Sequence, residues 1–215
     1  MKFDSRDLAL SAISASLYAV INVVQTSMGG PITYGPIQLR LADCLIPLSA
    51  LFGWPLVVGV SLGCLSNAYY WLDPADVVVG PIVNFVAALL IMYLRKHRAI
   101  ACVSGAFAVG VPIGSYLYYL YTQGNFVIQQ QVPRFPGLEL PIQAAFIPGL
   151  SISSLVTIAL IGYILLSTLA RAHIVEPLKS HGLKAVDQSE QSHMNRSSFV
   201  RPIISLKSKP KASKT

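Results

Sequence analysis

Charge is scarce in this sequence. Asp, Glu, Lys and Arg make up only 12% of 215 residues, about half the share of an ordinary globular domain. With 53% apolar residues and a mean hydropathy of +0.58, an ordinary soluble domain is excluded. Cysteine is also sparse. Cys44, Cys64 and Cys102 all fall inside apolar runs and share no CxxC or Cys/His ligand spacing. That argues against a disulfide framework or a metal site and for three small hydrophobes. His97 sits in a short basic loop, and His173, His181 and His193 sit near the C-terminus, so no histidine cluster is expected. There is no GxxxxGK[ST] loop to hydrolyse ATP, no HExxH and no GxSxG. No nucleophile is assembled with a base, and no cofactor motif is present. The polar groups suit holding a molecule better than converting one, which predicts a protein that is not an enzyme.

What is present is a series of long apolar runs, near 7–27, 37–52, 54–71, 76–94, 99–121 and 142–170. A bilayer core needs about 20 apolar residues in a helix, so the fold class predicted is an all-α membrane protein with six transmembrane helices. Phe52-Gly-Trp-Pro55, Trp71-Leu-Asp-Pro-Ala-Asp76 and Arg95-Lys-His-Arg98 separate successive runs, and Pro148-Gly149 predicts a kink in the sixth. Lys2 and Arg6, the 95–98 loop and the basic C-terminal end fall on one face when the spans alternate. The positive-inside rule then puts both termini in the cytoplasm of a multi-pass protein in the cell membrane. Tyr116, Tyr118, Tyr119 and Tyr121 fall at the outer end of the fifth span, where an aromatic belt is expected. A cleaved signal peptide suits the N-terminus less well, because its apolar stretch is longer than a usual h-region.

The division expected is a membrane domain over 1–172 and a basic, disordered cytoplasmic tail over 173–215. From Arg171 onward there are nine Lys/Arg against three Asp/Glu, a net +6, whereas residues 1–170 carry a net +1. The tail's simplest partner is anionic membrane lipid. Nucleic acid is set aside, since the body has no basic patch with interleaved aromatics.

Ionisable groups inside a bilayer are costly unless paired, hydrated or used. Arg40 and Asp43 stand three residues apart at the head of the second run and share a helix face. They form either an internal ion pair or a ligand-facing pair, and the two roles are compatible. Gln25 and Gln38 add amides near the same end. Asn67 and Asn84 are the other polar groups within spans, candidates for interhelical hydrogen bonds or for ligand contacts. Asp73, Pro74 and Asp76 read as a helix start, with Asp76 able both to cap and to face a pocket. The 122–141 segment is long for a bundle, suiting a surface loop or a lid. In the first span Ser11, Ala15 and Ala19 recur every four residues, a smooth stripe for close helix contact within the chain or with a partner.

Three of these segments resemble the QueT family: Tyr34-Gly-Pro-Ile-Gln-Leu-Arg-Leu-Ala-Asp43, Gly59-Val-Ser-Leu-Gly-Cys-Leu-Ser-Asn67 and Asp76-Val-Val-Val-Gly80. The likeness runs to about Leu94, and the second half matches in hydropathy and length. The family position of Asp43 is usually Glu, so this chain is one methylene shorter there. The resemblance implies a substrate-binding S component of an energy-coupling factor (ECF) importer, with an S-component-like six-helix bundle capturing its ligand outside. The implied partners are an EcfT-like transmembrane subunit and two ABC ATPase subunits, with docking through Ser11, Ala15 and Ala19. The implied ligand is a queuosine precursor, a 7-deazaguanine-like (7-deazapurine) base. Asp43 would accept its ring N–H and exocyclic amine, Gln38, Arg40, Asp76, Asn67 and Asn84 would complete the set, and Trp71 or Tyr34 would stack. A vitamin such as riboflavin, biotin or thiamine is the rival ligand, and a small membrane enzyme acting on lipid the rival class.

Overall fold

The computed structural model describes residues 4–29, 39–70, 76–123 and 142–171, and these are helical without any strand. Among the described residues six helical stretches follow one another, close to the six apolar runs. The first is α1 (Ser5–Gly29). The second is a 3-10 segment, Leu41–Leu48, that passes into the short α2 (Ser49–Phe52). The third is α3 (Trp54–Gly63), continued by a 3-10 segment, Cys64–Tyr70. The fourth and fifth are α4 (Asp76–Tyr93) and α5 (Arg98–Thr122). The sixth is α6 (Ile142–Ser154), a π-helical segment Leu155–Gly162 and α7 (Tyr163–Leu169).

Three stretches, Ser5–Met28, Arg98–Leu120 and Phe146–Leu169, are long and apolar enough to cross a membrane. The shorter Leu41–Phe52, Trp54–Asn67 and Val77–Tyr93 are apolar too. The 3-10 segments lengthen two of these, since their rise is about 2.0 Å per residue against about 1.5 Å in an α-helix. Pro47 lies inside the first such segment, where it has no N–H to give to an α-helical bond. The chain turns between α2 and α3 at Gly53, whose φ of +69° suits glycine, and Pro55 then opens α3.

Glycine pairs set the helix contacts. A Cβ on Gly59 would lie 2.7 Å from the Ser11 carbonyl oxygen, and one on Gly63 would lie 2.7 Å from that of Ala15. On α5, a Cβ on Gly110 would lie 2.6 Å from Ser151 Cα and one on Gly114 2.8 Å from Ile147 Cα. Both pairs have GxxxG spacing, which brings backbones together where lipid leaves no hydrophobic drive between helices. Ile46, Leu51, Val57, Ile91, Ile113 and Phe146 fill the interior, while Leu8, Ile13, Val20, Ile82, Ile152 and Leu160 face outward. Large apolar side chains outside and packed ones inside are what a lipid solvent permits.

The sixth stretch runs on through Pro148, and its departure from α geometry comes after the predicted kink, at Leu155–Gly162. Its buried residues explain why. Phe146, Leu150, Ser154, Ile158, Gly162, Leu166 and Ala170 are all buried, each four residues from the last. In an α-helix a four-residue step overshoots one turn by about 40°, so this face would wind away within a few turns. The π segment, with its i→i+5 bonds, is wider per turn and takes up the drift.

Candidate ligand-binding site

The 3-10 segment Leu41–Leu48 carries Asp43 into the interior, where only 1% of its surface stays accessible. A buried carboxylate needs donors. The Tyr18 hydroxyl, from α1, donates to Asp43 Oδ1 at 2.5 Å. The Asn84 amide, from α4, donates to the Tyr18 oxygen at 2.8 Å and lies within hydrogen-bonding reach of Asp43. An amide NH2 can only donate, so the Tyr18 oxygen accepts from Asn84 and its own proton is left for Asp43. The Arg40 guanidinium is near enough for its charge to act on the carboxyl group.

Arg40 and Asp43 line one small cavity with Ser154 and Thr157 from the sixth stretch, closed by Val109, Ile113 and Leu150. It offers about 10 Å³ of room, close to what a single water molecule needs. Thr157 Oγ1 donates back to the Ser153 carbonyl at 3.0 Å. The two irregular segments meet beside this cavity: a Cβ on Gly162 would lie 2.6 Å from the Pro47 ring and 3.1 Å from the Cys44 carbonyl oxygen. Gln25 grips the backbone on both sides of Arg40. Its Nε2 donates to the Leu39 carbonyl, and its Oε1 accepts from the Leu41 N–H at 2.7 Å.

A second polar cluster lies further along α1. Asn22 Nδ2 donates to Asn67 Oδ1 at 2.8 Å and to Ser66 Oγ at 2.9 Å, and Thr26 Oγ1 donates to the Asn22 carbonyl at 2.8 Å. Gly80 leaves room there, because a Cβ on it would lie 3.2 Å from Asn67 Nδ2. Among the described residues no group of His, Cys, Asp and Glu is placed to hold a metal ion.

Of the candidates read from the sequence, Arg40 and Asp43 share the cavity. Asn84 stands behind Asp43, Asn67 belongs to the neutral cluster, and neither is among the residues lining the cavity. Asp76 opens α4, but its side chain, like Tyr34, Gln38 and Trp71, lies outside the described residues. Ser11 faces α3, donating its hydroxyl to the Pro55 carbonyl at 2.8 Å, and Ala15 and Ala19 are half-buried beside it. Tyr18, Ser154 and Thr157 were not singled out by the sequence, nor was the grip of Gln25 on the Arg40 backbone. The signal for the α1 residues was available: Ser11, Ser14, Tyr18, Asn22 and Gln25 follow helical spacing along one face.

Apolar outer faces, several membrane-length helices and a charged pair held among them define a multi-pass membrane protein. The family profile described as QueT transporter matches residues 8–171, and the chain belongs to that family. A curated relative, "Queuosine precursor transporter QueT" of Lactococcus lactis subsp. cremoris (strain MG1363), is 29% identical over 85 residues. The aligned part is 40% of this chain and 48% of the relative, so it spans about half that protein's length. No solved structure matches the chain.

Proposed function

We propose that this protein is the substrate-capture subunit, or S component, of an ECF-type importer and that it binds a queuosine precursor, a 7-deazaguanine-like base. The observation that carries the assignment is the pairing of Arg40 with the buried Asp43 at one cavity. The edge of a guanine-type ring presents a carbonyl, a ring N–H and an exocyclic amine in a row. Arg40 supplies donors only and an ionised Asp43 acceptors only, so the pair matches that row, Arg40 to the carbonyl and Asp43 to the two nitrogen donors. Membership of the QueT transporter family and the printed function of the lactococcal relative support the choice of ligand.

Room for one water does not hold a bicyclic base, so capture widens the cavity where the 3-10 and π segments meet. Six spans with both termini cytoplasmic put the Gln25 end of α1, with Arg40, toward the outside. The absence of a phosphate-binding loop leaves ATP hydrolysis to two ABC ATPase subunits. An EcfT-like subunit would dock on α1, where Ala15 and Ala19 border the exposed Ala12 and Ser16. The test is to purify the protein, identify co-purified ligand by mass spectrometry, and titrate it with 7-deazaguanines and with riboflavin, biotin and thiamine. Submicromolar binding of a deazapurine is expected; binding of a vitamin and of no deazapurine sinks the assignment.

A further inference from the structure

The charged pair does not hold itself in place. Asp43 and Arg40 are carried by a 3-10 segment and by the residue just before it, and both are gripped from α1. Tyr18 sits seven residues before Gln25, about two helical turns, so the two side chains leave the same face of α1 at different depths. Tyr18 holds the carboxylate through its hydroxyl, and Asn84 fixes the direction of that hydroxyl from the other side. Gln25 bonds Leu39 and Leu41, fixing the peptide from which the guanidinium projects. A carboxylate has about four acceptor sites, so Tyr18 leaves capacity on Asp43 for a ligand.

We propose that Tyr18 and Gln25 are positioning residues for ligand recognition, Tyr18 aligning the Asp43 acceptors and Gln25 aligning the Arg40 donors against the edge of a planar, guanine-type heterocycle. This rests on the proposed function, which supplies the ligand class. Neither side chain needs to touch the ligand. Each governs a different part of the ligand edge, which separates this role from simple stabilisation of the fold.

The purified full chain, with Tyr18→Phe and Gln25→Leu, is titrated with three ligands: 7-deazaguanine, 7-deazahypoxanthine, which lacks the exocyclic amine, and 6-thio-7-deazaguanine, whose sulfur is the poorer acceptor. Tyr18→Phe is expected to lose about 10- to 100-fold in affinity for 7-deazaguanine, the range for one hydrogen bond to a charged group. Its preference for 7-deazaguanine over 7-deazahypoxanthine shrinks while its preference over the thio compound stays. Gln25→Leu shows the opposite pattern. Asn84→Ala moves the same preference as Tyr18→Phe, by less, and decides the matter if Tyr18→Phe does not fold. A variant that loses all three ligands equally, or none, is overturned as a positioning residue. Wild-type protein that binds no deazapurine overturns the proposed function and this assignment together; wild-type binding with indifferent variants overturns only the latter.

Discussion

Two polar clusters hang from the same face of α1, and they are built differently. The one around Asp43 contains a charge, borders a cavity and joins α1, the first 3-10 segment and α4 through Tyr18 and Asn84. The one around Asn22 is neutral, with Asn67 and Ser66 as acceptors on the second 3-10 segment. Amide-to-amide bonds between membrane helices contribute little each, about 0.6 kcal/mol on average. A buried carboxylate is another matter, because the cost of taking its charge out of water has to be offset by donors. The neutral cluster is explained by helix packing alone. The charged one is explained by packing only in part, since an apolar group would pack at lower cost.

The contrast is broken most forcefully at Asp43. Asp43→Asn keeps the shape and an acceptor for Tyr18 but removes the charge, and should weaken 7-deazaguanine binding by about 3 kcal/mol, the loss of charge-assisted pairing. Calorimetry on the folded variant checks it, and unchanged affinity would reduce Asp43 to a partner of Arg40. Gly63→Leu attacks what both clusters share, the close approach of α3 to α1. An overpacked contact of this kind costs about 1–3 kcal/mol, visible as a lower unfolding temperature in detergent with binding weakened as well. Asn22→Ala sharpens the comparison from the neutral side. It should cost about 1 kcal/mol of stability and leave ligand affinity where it was; a tenfold loss of affinity would mean that the two clusters form one site. The smallest effect is expected at Ser154→Ala, which leaves the fold intact and weakens binding by about 0.5–1 kcal/mol if the hydroxyl meets the ligand. A titration showing no change removes Ser154 from the contact set.

The helices were largely legible because a lipid-facing chain writes its elements as apolar runs. The run over 99–121 became Arg98–Thr122 and the run over 76–94 became Asp76–Tyr93. The 3-10 form of Leu41–Leu48 was not legible, yet Arg40 and Asp43 still meet at one cavity. Arg40 caps the segment from just before it, and its carbonyl oxygen accepts from the Asp43 N–H at 3.1 Å, so the first turn keeps the two residues together. Tyr18 was missed for a different reason. Small residues at 11, 15 and 19 dominate the pattern of the first span, and a tyrosine in an apolar run passes as an ordinary large side chain. Only its distant partners, Asp43 and Asn84, give it a function, and no local pattern encodes them. Ser154 and Thr157 were hidden similarly, since hydroxyls inside helices commonly bond to their own backbone, as Thr157 does.

The π-helical segment Leu155–Gly162 sets the phase between the two ends of the sixth stretch. Recast as regular α-helix with the same residues, it would wind more tightly and turn everything after it about the helix axis. Leu166 and Ala170, buried now, would swing toward lipid, and Gly162 would leave its place against Pro47. Helix form alone would therefore reset the packing of the sixth stretch on the Cys44–Pro47 segment, while Arg40 and Asp43 kept their identity. In this stretch the form of the helix carries as much meaning as the identity of its side chains.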